Sequence, residues 1–193
     1  SLLHLGGAEA AWFNEDWGYR QRVDITNAGS AQTDYQIAIT LGTSTLITAG
    51  KMRADCNDIR ITDINGKLLP YWIESNNPGC NATATVFWTK IPTISTTGDT
   101  LYIYYGNSQA NAYSDGDKVF QFFDDFTGSS VSSKWTQTSS GTGGISVSGG
   151  YAELKYVSST DANMHAIFSG SPTEVIEFRG IQLMQSPSYR NRI

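Results

Sequence analysis

Tyr35-Gln36-Ile37-Ala38-Ile39-Thr40-Leu41 alternates, with Tyr35, Ile37, Ile39 and Leu41 on the side expected to face inward. A period of two marks a half-buried strand, because successive side chains leave a pleated chain on opposite faces. The pattern extends both ways. Upstream, residues 20–27 place Val23 and Ile25 on one face; downstream, residues 58–63 do the same with Ile59 and Ile61. Ile64-Asn65-Gly66-Lys67 then predicts a hairpin turn, since Asn-Gly tolerates positive φ at both central positions. Residues 68–74 return, and runs over 83–90 and 100–106 follow. One short helix is predicted over residues 43–50, from a Ser/Thr start to a Gly stop. Short β-branched and aromatic runs between turn signals read as an all-β, jelly-roll-like sandwich.

The chain has 193 residues, enough for one large domain or two small ones. Only 16% are charged, against about 25% in most globular proteins, so polarity comes from Ser, Thr, Asn and Gly. A net charge of −5 and a pI near 4.9 argue against a nucleic-acid binder, whose footprint is a basic patch. No run approaches the ~18 apolar residues of a membrane span.

Three segments follow. Residues 1–11 carry Leu2, Leu3 and Leu5 and then Ala8-x-Ala10, like the end of a secretory signal. Without a Met or a basic start, the stretch reads as mature protein held against its own domain or a neighbouring subunit. Residues 12–117 make the main sandwich, ending in a small, polar, non-periodic connector. Residues 118–193 make a second, smaller or incomplete β region. In it, residues 120–126 form an aromatic-rich strand or anchor, and further strands are expected at 145–147, 151–156 and 174–179. A complete sandwich usually needs about 100 residues, so this unit is expected to be truncated or completed by another chain.

Cys56 and Cys80 do not form a C-x-x-C pair, and His4 and His165 are the only histidines, which makes zinc improbable. Two cysteines in a Ser/Thr/Asn-rich chain fit one disulfide in an oxidising compartment, the alternative being two buried thiols. Asn81-Ala82-Thr83 is a glycosylation sequon directly after Cys80.

Six blocks in order carry a family likeness. They are Trp17-x-Tyr19-Arg20; Lys51-Met52-Arg53-Ala54-Asp55-x-x-Asp58-Ile59-Arg60; Leu69-Pro70-Tyr71-Trp72; Val86-x-Trp88-x-Lys90-Ile91-Pro92; Ile103-Tyr104-Tyr105-Gly106-Asn107; and Val119-Phe120-x-Phe122-Phe123-Asp124-Asp125-Phe126. Over residues 12–126 the chain resembles domain-of-unknown-function family 2341. The resemblance implies a β-sandwich module of secreted and surface proteins of bacteria and archaea, also found appended to some biopolymer-transport proteins of the proton-channel type. It transfers context rather than chemistry. Where that family commonly has Gly after the Arg-Ala-Asp block, this chain has Cys56, which suggests a lineage-specific disulfide with Cys80. The stretch from Phe123 to Leu154 resembles the opening of a concanavalin/laminin-G-like sandwich.

Asp55, Asp58 and Asp63 bracket one strand and its turn. Turn capping is favoured over calcium, and Arg53 and Arg60 are near enough to pair with them. Asp124 and Asp125 are the better candidates for a cation such as Ca2+, with Asp115 or Asp117, since carboxylates among aromatics are costly unless paired or metal-bound. The alternative there is an Arg partner. Catalysis is not expected. Glu153, Glu174 and Glu177 are the candidate carboxylates for glycoside hydrolysis, but Glu174 and Glu177, three apart, would face opposite sides of a strand. No nucleophile elbow is present. In the 100–106 run, Leu101, Ile103 and Tyr105 take the core face, leaving Tyr102 and Tyr104 as an exposed pair for sugar stacking or for interface packing.

The expected function is a non-enzymatic, secreted or cell-surface structural or adhesion protein. It would form a homo-oligomer or filament in which Leu2, Leu3 and Leu5 add as a donor strand to a neighbour. The alternatives are a module that binds surface glycans and an accessory fragment of a larger secreted glycan-active enzyme.

Overall fold

The computed structural model of the chain describes residues 12–75, 78–139, 144–155 and 162–167. Seven strands build the first unit: β1 (Tyr19–Ile25), β2 (Gln32–Leu41), β3 (Arg60–Asp63), β4 (Leu68–Leu69), β5 (Tyr71–Ile73), β6 (Thr85–Ile94) and β7 (Asp99–Tyr105). They form two antiparallel sheets, ordered β1-β7-β3-β4 and β2-β6-β5. The all-β sandwich read from the alternation is the fold.

The core lies between the sheets. Ile39, Leu41, Phe87 and Ile91 come from one sheet, Ile61, Leu69, Leu101 and Ile103 from the other, and Met52, Cys56 and Ile59 close the end. Each such side chain contributes roughly 1.5–3 kcal/mol when fully buried. Tyr35, expected inward, is instead 48% exposed; it directly follows Asp34, whose positive φ (+49°) interrupts the strand register, while Ile39 and Leu41 reach the core. Pro92 is tolerated in the middle strand β6 because of where its missing N–H would point. The Lys90 N–H bonds Pro70 on the β5 side, so residue 92 faces the same way, past the end of β5.

The predicted helix is α1 (Thr43–Thr48), one and a half turns, with Gly50 in the left-handed region just beyond it. The 63–67 hairpin differs from the expected turn. Only Gly66 has positive φ (+81°); the Gly66 N–H bonds the Asp63 carbonyl, while the Asp63 carboxylate accepts the N–H groups of Asn65 and Lys67. The result is a three-residue loop with glycine at its left-handed position.

Residues 120–126 form an anchor rather than a strand. They follow the short helix α2 (Gly116–Val119), capped by the Asp115 carboxylate on the Asp117 N–H. The connector before it is not loose. The Asp115 N–H bonds the Tyr71 carbonyl, and the Ile73 N–H bonds the Ser114 hydroxyl, so residues 114–115 lie along β5. The expected boundary at 117/118 therefore falls inside α2, whose Val119 is fully buried.

Beyond it lie β8 (Thr136–Ser139), β9 (Gly144–Ser148), β10 (Tyr151–Lys155) and β11 (Ala162–His165). They pair antiparallel as β9–β10 and β8–β11. The sequence pattern anticipates β9 and β10 but not β8 or β11, since Ala162-Asn163-Met164-His165 has no β-branched or aromatic residue. The strand expected at 174–179 lies outside the described residues.

Candidate functional site

Cys56 and Cys80 form a disulfide with Cα atoms 6.0 Å apart. Cys56 is fully buried at φ +54°, in the left-handed region that favours glycine. The bond ties the 53–58 turn to the loop before β6.

Around it, the three aspartates serve the backbone. Asp58 is fully buried and accepts the N–H groups of Arg53 (3.1 Å) and Gly106 (2.8 Å). Asp55 accepts the Asn57 N–H at 3.1 Å and pairs with Arg53 at 2.6 Å. The Asn57 N–H first, and Arg53 after it, hold the Asp55 carboxyl below the usual range. Asp63 organises its hairpin. The capping reading thus describes all three. The sequence suggested an acid partner for Arg60, but among the described residues it pairs with none. It donates to the carbonyls of Asn57 and Asn111 and lies over the rings of Trp17 (5.2 Å) and Tyr113 (4.9 Å), nearly buried.

The expected exposed tyrosine pair is corrected. Leu101, Ile103 and Tyr105 do face the core, but Tyr104 is fully buried and Tyr102 half-buried on the opposite face. The stretch before β1 covers them. Trp12 meets Tyr104 edge-on at 5.4 Å, Phe13 lies at 5.6 Å, and the Phe13 N–H donates to the Tyr104 hydroxyl. Arg20 stacks over both Trp12 and Tyr102. Alternation places Tyr104 on the outer face, but it takes the tertiary fold to show that another segment buries that face.

Asp124 and Asp125, expected to hold a cation or an Arg, bond neighbouring groups. Asp124 accepts the Trp135 indole N–H at 2.7 Å and the Phe126 N–H at 2.9 Å. Asp125 accepts the Thr127 hydroxyl at 2.9 Å. Among the described residues, the partners of these carboxylates are an indole and local turns. Among the described residues no three His, Cys, Asp or Glu side chains come together as a metal site. Lys134 instead gathers Asp117 and the Phe123 carbonyl. Asp115 pairs with Lys118, first through a hydrogen bond, which lowers the Asp115 pKa.

The segment 116–126 and the outer face of β5–β6 build an aromatic cluster. Trp72 and Trp88 are cross-strand partners. Phe120 lies 6.0 Å from Trp72 and 5.6 Å from Trp88, and Phe123 meets Trp72 edge-on at 4.8 Å. At the open side of this cluster lies a groove of about 440 Å³. Trp72 and Phe123 form one part of its wall, the Cys80 end of the disulfide and Asp55 another, and Ser75, Ser114, Asp125 and Thr127 supply polar groups. Sequence reading singles out Asp55, Asp125 and Cys80, each for another reason. It misses Ser75, Ser114, Phe123 and Thr127 as wall residues, because they converge only when the connector lies along β5.

Asn81 is exposed at φ +60° beside the disulfide. Glu153 and His165 are exposed on β10 and β11. Leu2, Leu3, Leu5, His4, Glu174 and Glu177 lie outside the described residues.

Fold and site together define a disulfide-tied, all-β module with an aromatic-walled groove. The family model described as Domain of unknown function (DUF2341) matches residues 55–138. The match spans the blocks from Asp55 to Phe126 and runs on through the anchor to β8, while the Trp17 block lies outside it. No curated protein matches the chain, and neither does any solved structure.

Proposed function

We propose that the chain is a non-enzymatic structural or adhesion module of a secreted or surface protein. The observation that carries this reading is the Cys56–Cys80 disulfide set in the sandwich core, a bond that persists in oxidising compartments and is rare in the cytosol. The use of the acids supports it: Asp55, Asp58, Asp63 and Asp124 hold turns and an indole, a structural employment. The likeness of the stretch from Phe123 to Leu154 to the start of a concanavalin/laminin-G-like domain fits a modular surface protein.

Assembly into a filament has a specific support. The sheet β2-β6-β5 ends on β2, a ten-residue edge strand whose single charge, Asp34, sits at positive φ near its start, leaving Tyr35–Leu41 without Lys, Arg, Asp, Glu or Pro, and no described strand pairs with its outer side. Such an edge accepts an added strand. The opposite sheet's edge, β1, carries Arg20, Arg22 and Asp24, which blunt it. Leu2, Leu3 and Leu5 of a neighbour would fill the β2 site. Electron microscopy beside mass photometry of purified protein tests this. Filaments that fall to monomers when Leu2, Leu3 and Leu5 are changed to Asp are the expected result. A wild-type monomer at all concentrations overturns assembly by strand addition.

A further inference from the structure

We propose that the groove beside the disulfide is a saccharide site that takes a neutral sugar unit. The inference deepens the adhesion reading, on which it rests, by naming the ligand class.

Three observations meet there. The groove's volume, about 440 Å³, lies within the roughly 300–1,000 Å³ of small-molecule sites. Its wall carries two half-buried aromatic rings, Trp72 and Phe123, packed edge-on against each other, which supply apolar surface for the C–H side of a sugar ring. Its polar groups are oxygens: the carboxylates of Asp55 and Asp125 and the hydroxyls of Ser75, Ser114 and Thr127. Carboxylates accept strong hydrogen bonds from hydroxyls, so the ligand must be a donor. Among the described lining residues there is no Lys or Arg, and the Asp125 carboxylate disfavours a uronate or a sulfated sugar. Arg53 offsets the charge of Asp55, which disfavours a plain cation and leaves a neutral polyol as the best match.

The walls are held before a ligand arrives. Cys80 lines the groove, and its bond to Cys56 fixes the Asp55 turn opposite Trp72. Phe123 is seated by close packing on Gly116, where any Cβ would collide with its ring. Pre-set walls reduce the ordering cost of binding. Reduction of the disulfide therefore weakens the site.

The test is a glycan array followed by amide NMR titration of the whole chain with cellotriose, maltotriose and chitotriose, with glucuronate, choline and CaCl2 as controls. The expected result is saturable shifts at residues 55, 72, 114, 125 and 127 with at least one neutral sugar. W72A should weaken it at least tenfold. The exposed-side double variant D125N/T127V should do the same with an unchanged melting temperature, and dithiothreitol should lower affinity several-fold. Silence with every neutral sugar, shifts with Ca2+, choline or glucuronate alone, or sugar binding that survives both variants overturns the site. Attachment of protein-coated beads to cell surfaces, measured alongside, separates the two readings. Attachment of the wild type without binding of any neutral sugar retires the groove and leaves adhesion standing; a wild type that neither attaches nor binds sugar retires both.

Discussion

Asp58 holds two segments at once, since one buried carboxylate receives the N–H of Arg53 in the first turn and that of Gly106 after β7. Asp58→Ala leaves both donors buried, and a loss of about 2–3 kcal/mol in urea unfolding is expected. Asp58→Asn, which keeps one acceptor, should recover part of it. The disulfide closes a separation of 24 residues, so its removal should cost about 3.5 kcal/mol by the loop-closure relation. Denaturation with and without reductant measures it. Tyr71 belongs to the same scale. Its phenol is buried and donates to the Ile59 carbonyl, and burial pushes its pKa well above the ordinary value of 10. A group raised in the folded state contributes stability that is complete below its unfolded pKa, near 10, and is lost as pH rises beyond it. Unfolding by urea should therefore turn easier above about pH 10. Tyr71→Phe should flatten that slope while costing roughly 1 kcal/mol at pH 7. At the acid end, Asp55 and Asp115 are lowered, so their small, solvent-screened contributions persist above about pH 4 and fade below it.

Among the elements, α2 and the 120–123 stretch matter more than their length suggests. They convert the outer face of β5–β6 from a solvated surface into a second, aromatic layer on which the groove wall depends. Gly116 allows this, because Phe123 packs where a Cβ would stand. Gly116→Ala should push Phe123 off Trp72 at a cost of about 1–3 kcal/mol. The readout is loss of the ring-current shifts on the Trp72 indole, with the core resonances of Ile61 and Leu101 unchanged. Disturbance of the core as well would mean that the anchor and the sandwich are not separable. On the other sheet, the stretch from Trp12 to Trp17 plays the matching part over Tyr104.

At the scale of the whole molecule, the two units differ in kind. The first closes its own core between two sheets. The second contributes two-stranded pairs in which Tyr151 and Leu154 are exposed among the described residues. The link between them is specific: Trp135 packs on Phe122 and Phe126 and bonds Asp124, while Lys134 reaches back to Asp117. Trp135→Ala should leave the sandwich folded and free the second unit from it, visible as a new protease-sensitive site near residue 130 on limited proteolysis. Unchanged cleavage would show that the link does not depend on this ring.

Alternation over 35–41 and 100–106, with the turn at 63–67, suffices for an all-β sandwich, because a period of two leaves one face to bury whatever the partner is. The cysteine pairing and the turn-capping aspartates were also legible, since compartment logic and local Asx chemistry need no long-range information. What lay beyond the sequence pattern was everything that depends on which segment covers which face. Tyr104 reads as exposed until Trp12 and Phe13 fold over it. Residues 120–126 read as either a strand or an anchor until α2 turns Phe120 and Phe123 onto Trp72 and Trp88. Asp125, Ser114 and Cys80 are distant in sequence and share a groove only because the connector lies along β5. Periodicity reports how a residue faces its own strand; only the tertiary structure decides what stands opposite that face.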